Sequence, residues 1–309
     1  MDENYAIARY EQAAALLPIR WQRPARQLPD WQKVQAEELR LRVGQPMTVL
    51  LSEGEHLLPQ EGGQTIVTQS DLEQLCDGVT GYSRYAAGET LRCGYLTAQG
   101  GFRIGLCGTV VLQEGKSRNL RDFSSAVIRI SRERTGLAKP LLPQLMNEGT
   151  ICSTLLLSPP GLGKTTLLRD LVRQLSDGAP DRPAYRVAVA DERGELAVMH
   201  QGRPQMAIGC HTDVLDGCPK AQAIPILLRA MNPQIIAVDE VTAEEDLRAM
   251  TAAANCGVSL LATIHAESVA ELLRKPLYNK LLQTGVFRMA VCLRKEDGTR
   301  LQEVEELPC

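Results

Sequence analysis

The stretch from Ser158 to Thr166 constrains the fold more than any other part of this chain, and it reads S-P-P-G-L-G-K-T-T. The apolar run Leu155 to Leu157 precedes it and predicts the end of a buried strand. Apolar residues then recur at helical spacing from Thr165 to Ser176, so the stretch joins a strand to a helix. Gly161 and Gly163 let the backbone curl with its N–H groups pointing inward, as phosphate binding requires. The pattern therefore predicts an α/β domain with a phosphate-binding loop.

The loop residues have predicted roles in binding a nucleoside triphosphate and Mg²⁺. Lys164 is expected to reach the β- and γ-phosphates, and the hydroxyl of Thr165 is expected to ligate Mg²⁺. The positive N-terminal end of the following helix faces the phosphates. The predicted nucleotide-binding residues are consecutive: Pro160, Gly161, Leu162, Gly163, Lys164, Thr165 and Thr166.

One residue departs from the usual loop pattern G-x-x-x-x-G-K-[ST]. Ser158 occupies the position of the first glycine, six residues before Lys164. Because serine disfavours a positive φ, we expect the start of the loop to be slightly re-aimed. Pro159 and Pro160 stiffen this start, and Gly161 restores conformational freedom directly after it.

A second apolar run, Ile235 to Val238, ends abruptly in Asp239 and Glu240. This pattern is typical of a central parallel strand whose carboxyl end lies at the ligand-binding edge of an α/β sheet. Asp239 is predicted to hold Mg²⁺ through its water shell, and Glu240 is predicted to orient and polarise an attacking water. The paired carboxylates favour hydrolysis over binding alone, although a solvated turn could carry the same residues.

Two further apolar runs, Arg186 to Ala190 and Val258 to Ile264, also end in polar residues. Parallel strands collect their carboxyl ends at one edge of the sheet, so these residues are expected beside the phosphate loop. Glu192 and Glu195 are predicted to help hold the water or the metal shell, and His265 is predicted to hydrogen-bond to the γ-phosphate. The alternative is that the carboxylates lie in solvent and that the histidine packs under a loop.

The amino-acid composition limits the classes of protein to which this chain can belong. A chain of 309 residues with 44% hydrophobic content can form two domains with their own cores. The net charge of −3, the 4% aromatic content and the absence of a basic run argue against stable nucleic-acid binding. No apolar stretch approaches the roughly 20 residues that span a bilayer, and the acidic start M-D-E-N-Y is unlike a signal peptide. We therefore expect a cytoplasmic protein, in which Cys107, Cys152 and Cys292 are small buried thiols.

The first 135 residues predict an α+β domain. The expected elements are a helix at Tyr5 to Leu17 before a segment rich in Pro and Arg, a hairpin at Glu38 to Leu51, a helix at Asp71 to Val79 capped by Ser70, and strands at Gly94 to Thr97, Phe102 to Leu112 and Ala126 to Ile130.

Residues 136–150 contain helix-breaking glycine and proline and are expected to form a linker with a short helix. From residue 151 to residue 309, strand-like runs alternate with helical patterns, which predicts a mostly parallel sheet. The expected helices are Thr165 to Ser176, Ala221 to Met231, Glu244 to Asn255, and Val269 to Leu282 with a break at Pro276.

Several longer motifs occur in order along the chain. They are L-R-L-R-V-G-Q-P from Leu39, R-C-G-Y-L-T from Arg92, G-G-F-R-I-G-L-C-G from Gly100, R-D-F-S-S-A-V-I-R-I from Arg121, V-A-D-E-R-G-E-L from Val189, D-V-L-D-G-C-P-K-A from Asp213, L-L-R-A-M-N-P-Q-I-I-A-V-D-E from Leu227 and T-I-H-A from Thr263. In these motifs the chain resembles the bacterial stage III sporulation protein AA family. That family is similar to the hexameric ATPases of type II and type IV secretion and of pilus machines.

The resemblance implies a RecA-like P-loop ATPase domain preceded by a smaller α+β N-terminal domain. Asp191, Glu192 and Glu195 match the acidic box of the secretion motors, and Arg229 and His265 match their arginine-rich segment and histidine. Departures are also present. Asp239 stands where those motors often carry glycine, and Thr242 stands where the nearer family usually has a second glycine.

The resemblance also implies a function and partners. It implies Mg²⁺-dependent ATP hydrolysis by a homo-oligomeric ring of six subunits that serves a secretion-like channel between mother cell and forespore. The inner-membrane channel proteins of the stage III A group are the implied partners, and they would recruit the cytoplasmic ring peripherally to the membrane. Two alternatives are an ATPase that depends on nucleic acid and an ATP-gated scaffold with little hydrolysis.

A ring of this kind uses a cation supplied across the subunit interface, which is worth about 10³ to 10⁵ in rate. Arginines near the strand ends of the first domain and in the acidic box are the candidates: Arg103, Arg121, Arg129, Arg132 and Arg193. Arg129 and Arg193 are the preferred two, and the alternative for each is an ordinary surface arginine.

Overall fold

The computed structural model describes residues 2–58, 65–81, 91, 94–113, 116–296 and 299–307. It divides into two compact units. The first comprises Met1–Arg132 with His200–Gln205, and the second comprises Glu133–Met199 with Met206–Cys309. Arg92 and Cys93, which begin one of the family motifs, lie outside the described residues.

The first unit has an antiparallel sheet in the order β3-β2-β1-β6-β5-β4. Its described elements are α1 (Glu3–Ala15), α2 (Ile19–Arg26), α3 (Asp30–Gln35), β1 (Glu38–Arg42), β2 (Thr48–Leu51), β3 (Gly54–Leu57), α4 (Gln69–Thr80), β4 (Tyr95–Ala98), β5 (Phe102–Gln113) and β6 (Lys116–Arg129). The predicted hairpin is confirmed, since Arg40 pairs with Thr48 across β1 and β2. Helices and one sheet share a single core, so the predicted α+β class is correct.

Two local predictions in this unit need correction, and one segment for which no structure was predicted forms a helix. The segment rich in Pro and Arg forms α2, because the fully buried Trp21 anchors it in the core. The cap of α4 is Thr68 and not Ser70, because the Asp71 carboxylate accepts the Thr68 backbone N–H at 2.6 Å. Cys107 is exposed, since alternation along β5 points it away from the face that Ile104 buries.

The second unit is built on a seven-stranded sheet in the order β13-β10-β14-β15-β9-β16-β17. Neighbouring strands are parallel except for the antiparallel pair β16 and β17. The strands are β9 (Thr154–Ser158), β10 (Val187–Asp191), β13 (Thr212–Asp216), β14 (Ile235–Val238), β15 (Ser259–His265), β16 (Met289–Glu296) and β17 (Thr299–Glu306). Two short pairs lie outside this sheet: β7 (Met146–Asn147) with β8 (Thr150–Ile151), and β11 (Met199–His200) with β12 (Arg203–Pro204).

The helices of the second unit cover both faces of the sheet and follow the predicted pattern closely. They are α5 (Leu142–Leu145), α6 (Lys164–Asp177), α7 (Lys220–Met231), α8 (Glu244–Asn255), α9 (Val269–Arg274) and α10 (Pro276–Gln283). One core cluster contains the apolar residues of α5 and α6, and the other contains those of α7 and α8. The chain therefore has the predicted α/β fold with a mostly parallel sheet. None of the helices in the described ranges is long and apolar enough to cross a membrane.

Candidate nucleotide-binding site

The carboxyl ends of the parallel strands meet at one edge of the sheet, as the apolar runs predicted. Val238 pairs with Ala262, and His265 pairs with Ser158. The phosphate loop follows β9 at this edge, and Asp239 and Glu240 follow β14. The polar residues that end separate runs in the sequence are thus brought together by the sheet.

The loop has the curled backbone that its glycines predict. Gly161 has φ +80° and Gly163 has φ +95°, which is the left-handed region that glycine tolerates best. Gly163 also caps α6, which begins at Lys164. Pro160 to Gly163 are exposed or half-buried, so the loop is open to a ligand.

Ser158 does not need the conformation that a glycine would provide. It is the buried last residue of β9, and it is not among the described residues with positive φ. The expected re-aiming of the loop is therefore not required, because the backbone enters the loop from a regular strand. The Ser158 hydroxyl donates to the Pro159 carbonyl at 2.7 Å.

Lys164 is a buried cation that is held by neutral groups. Its residue is 6% exposed, and its ammonium donates to the carbonyls of Ser158 at 2.7 Å and Pro159 at 3.2 Å. The His265 Nδ1 atom lies 2.9 Å from the same ammonium. Burial lowers the pKa of Lys164, although the charges of Asp239 and Glu240 oppose this effect. A phosphate oxygen would provide the anionic partner that these neutral acceptors do not.

Thr165 and Asp239 form the candidate metal pair. The Thr165 hydroxyl donates to Oδ2 of Asp239 at 2.8 Å, and the Thr263 hydroxyl donates to Oδ1 of Asp239. An alcohol and a carboxylate oxygen are the hard ligands that Mg²⁺ prefers, and Mg²⁺ usually takes only one or two protein carboxylates. The residues present therefore fit this metal.

Glu240 is held by two cationic or polar side chains. Oε1 lies 2.7 Å from His265 Nε2, and Oε2 accepts a hydrogen bond from Arg193 Nη1. Burial raises the pKa of Glu240, but the hydrogen bond from His265 and the charge of Arg193 outweigh it, so the pKa lies below its ordinary value. Glu240 also has φ +51°, a conformation that costs a non-glycine residue about 1–2 kcal/mol. Such strain is typical of functional positions.

The acidic box is built around a buried aspartate. Asp191 is 1% exposed, and its carboxylate accepts the backbone N–H groups of Glu195, Leu196 and Ala197 at 2.8–3.1 Å. It therefore fixes the loop after β10. The backbone carbonyl of Glu195 accepts from Arg169 Nη2 at 2.6 Å, which ties the same loop to α6.

Glu192 pairs with a buried lysine. Its Oε2 accepts a hydrogen bond from the ammonium of Lys220, a residue that is 4% exposed at the start of α7. Burial raises the pKa of Glu192, but the contact with Lys220 lowers it below its ordinary value. The structure thus brings Glu192 to α7, whereas the sequence suggested a place near the metal or the water.

The candidate arginines are distributed over both units. Arg193 reaches Glu240 of its own chain, as described above. Those of the first unit have contacts within it: Arg103 with the Tyr95 ring, Arg121 with Asp122, Arg129 with Glu38 and Arg132 with the Lys33 carbonyl. The Arg129 side chain is 66% exposed, and its Nε lies 3.5 Å from Glu38 Oε1.

Thr263 is a site residue to which the sequence reasoning assigned no role. It is fully buried in β15, and its hydroxyl accepts the Glu240 backbone N–H at 2.8 Å while it donates to Asp239. It therefore links both carboxylate residues to β15. A hydroxyl in an otherwise apolar strand, two residues before His265 and so on the same face, was the available signal.

Comparison with solved structures agrees with the fold. A solved structure of the ATPase DotB from Legionella pneumophila has 16% sequence identity and a TM-score of 0.55, and the match covers 88% of this chain and 76% of that one. The pilus retraction motor PilT with bound ADP has 18% identity and a TM-score of 0.59, over 88% of this chain and 79% of that one. These similarities show a shared fold.

Sequence comparison gives the family. Stage III sporulation protein AA of Bacillus subtilis strain 168 is 35% identical over 285 residues, which are 92% of this chain and 91% of that protein. The family model for sporulation stage III, protein AA, matches residues 9–305. With a match over nearly its whole length, the chain belongs to the stage III sporulation protein AA family.

Proposed function

We propose that this protein is a Mg²⁺-dependent ATPase and that it drives a secretion-like channel between mother cell and forespore during sporulation. The observation that carries the hydrolytic part is the chain of contacts from Lys164 through His265 to Glu240. It joins a phosphate-binding cation to a candidate general base through one imidazole. Further support comes from the relatives, since DotB is an ATPase and PilT was solved with ADP.

Each site residue has a distinct role in the proposed reaction. Lys164 and the backbone N–H groups of Gly161 to Thr166 bind the phosphates, while Pro160, which has no N–H, shapes the start of the loop. Thr165 and Asp239 hold Mg²⁺, which when bound neutralises charge on the phosphate oxygens. Glu240 orients the attacking water and accepts its proton at a carboxylate oxygen, and His265 and Arg193 fix the direction of that carboxylate.

We further propose that subunits form a cytoplasmic ring of six, recruited to the membrane by the stage III A channel proteins. In this proposal residues 1–135 and 151–309 are the two moving domains, and residues 136–150 connect them. Arg129 is proposed as the cation that reaches a neighbouring subunit's phosphates. Mixing Arg129→Ala with Lys164→Ala tests this, because a Lys164→Ala subunit can supply Arg129 to the intact loop of an Arg129→Ala subunit only across an interface. Partial recovery of activity supports the ring geometry, whereas no recovery at any ratio contradicts it.

The ATPase proposal is tested by phosphate release from purified protein with and without Mg²⁺. Hydrolysis that needs Mg²⁺ and collapses in Lys164→Ala and Glu240→Gln is the expected result. Full activity in Glu240→Gln would contradict the assignment of the base. Stimulation by single-stranded nucleic acid would favour a nucleic-acid-dependent ATPase instead.

A further inference from the structure

Arg300 lies against the phosphate loop, although it is more than 130 residues away in sequence. Its Nη1 atom is 3.3 Å, and its Cζ atom 3.9 Å, from the point that a Cβ atom on Gly163 would occupy. Gly163 directly precedes Lys164 and caps α6. The guanidinium is therefore placed at the backbone that curls around the proposed phosphate site.

The register of the sheet explains this position. Strand β16 runs parallel to β9 as far as the pair Cys292 and Leu157, and it then continues to Glu296. At about 3.3 Å per residue, these extra residues carry the β16–β17 hairpin past the end of β9 and along the loop. Arg300 pairs with Lys295 in this projecting part.

Side-chain alternation along β16 and β17 determines the face of the sheet on which Arg300 lies. Val291 and Leu293 of β16 pack in the core cluster that contains the apolar residues of α6. Lys295 and its partner Arg300 follow at the same period of two, so both belong to the face on which α6 begins.

The positive charges at this position favour the binding of an anion. The N-terminus of α6 carries partial positive charge, and Lys164 adds a full charge beside it, so a guanidinium here is repelled unless an anion is present. Within the described ranges, no ion pair includes Arg300. Arg294 of the same hairpin differs, because it alternates to the other face and pairs with Glu303 at 3.1 Å.

We propose that Arg300 binds the α- and β-phosphates of a nucleoside di- or triphosphate held in the loop of its own chain. This inference rests on the proposed function, which it extends by a phosphate ligand supplied in cis. The loop backbone around Gly163 cradles the α- and β-phosphates, whereas Lys164 reaches the β- and γ-phosphates. Arg300 therefore strengthens the binding of ADP and ATP alike and leaves the hydrolytic step to Glu240.

The test is the dissociation constant of ADP and of a non-hydrolysable ATP analogue, both with Mg²⁺, for the full-length protein. A hydrogen bond to a charged group is worth enough for Arg300→Gln to weaken both ligands by about tenfold or more. Arg300→Lys should recover part of this loss. Arg294→Gln is the matched control, since it removes the same charge from the same hairpin on the other face and should leave both affinities unchanged. Thermal melting of each variant verifies that the hairpin is folded.

The outcomes separate this inference from the proposed function. Wild-type protein that binds neither nucleotide would overturn both. Wild-type protein that binds, with Arg300→Gln unchanged in affinity, would overturn the role of Arg300 alone. A loss confined to the ATP analogue would place the arginine at the γ-phosphate and contradict the assignment to the α- and β-phosphates.

Discussion

His265 Nε2 lies 2.7 Å from Oε1 of Glu240, so the last residue of β15 holds the carboxylate that follows β14. The other ring nitrogen of His265 lies 2.9 Å from the Lys164 ammonium. If the ammonium donates to Nδ1, then Nε2 carries the proton and donates to Glu240. One imidazole thus joins the phosphate-binding ammonium of Lys164 to the carboxylate of Glu240.

His265→Ala should lower kcat by about tenfold to a hundredfold with little change in nucleotide affinity, because the carboxylate loses its orientation while the loop is retained. His265→Gln keeps a donor and should retain more activity. Steady-state kinetics with a parallel binding titration measure both quantities. A loss of affinity with kcat unchanged would place His265 in ground-state binding only.

Thr263→Val should impair the site although the valine side chain has nearly the same shape as that of threonine. The variant leaves the Glu240 backbone N–H without its acceptor, and because this hydrogen bond is only partly buried we expect a loss of about 1 kcal/mol. It also frees Asp239 from one contact. We expect a lower melting temperature together with a lower kcat, and Thr263→Ser should restore both. Wild-type kinetics in the valine variant would show that the hydroxyl does not position the carboxylates.

Asp170 should make stability depend on pH. Its buried carboxylate accepts the backbone N–H groups of Gly136 at 3.0 Å and Ala138 at 2.8 Å. Burial raises its pKa, but hydrogen bonds from Ala138, Arg173 and Gly136 outweigh this and lower the pKa below its ordinary value. The stabilisation is therefore complete above the unfolded-state pKa of about 4 and is lost as pH falls through the lower folded value.

Asp170→Asn should accordingly cost about 2 kcal/mol at pH 7 and progressively less in acid. Urea denaturation of both proteins at pH 7 and at about pH 3, below the unfolded-state pKa of Asp, compares the free energies of unfolding. A difference that stays constant across this range would mean that the charge of Asp170 is not what the backbone groups require.

Glu192→Gln should affect stability more than catalysis. The change leaves the ammonium of Lys220 without its carboxylate partner. Because the Glu192 side chain is 37% exposed, solvent screens the loss, and we expect about 1–2 kcal/mol. Thermal melting and kcat measured on the same preparation decide between the roles. An unchanged melting temperature with a loss of turnover would instead show that Glu192 has the catalytic role that the acidic box predicts.

The sequence predicted the elements of the second unit well because its signals are local. The run Ile235 to Val238 is strand β14 with the same bounds, and Glu244 to Asn255 is α8 with the same bounds. Pro276 separates α9 from α10 as expected. Since strands of one parallel sheet share an edge, the apolar runs also predicted that Asp239 and His265 would lie near the loop.

Partners across strands could not be predicted in this way. Nothing in the local pattern indicates that Glu192 pairs with Lys220 or that Thr263 bonds to Asp239, because both depend on the register between separate segments. The position of Arg300 could not be predicted for the same reason, since it depends on the β16–β17 hairpin lying beside β9. At Ser158 the loop consensus suggested a conformational problem, but the residue lies in regular strand.

In the proposed reaction Glu240 activates the water, while Lys164 and the loop bind nucleotide independently of Glu240. The most direct test is the identity of the nucleotide that remains on purified Glu240→Gln after incubation with Mg²⁺ and ATP and rapid removal of free ligand. We expect intact ATP on this variant, ADP on the wild type and no nucleotide on Lys164→Ala. ADP on Glu240→Gln at the wild-type level would contradict this role of Glu240.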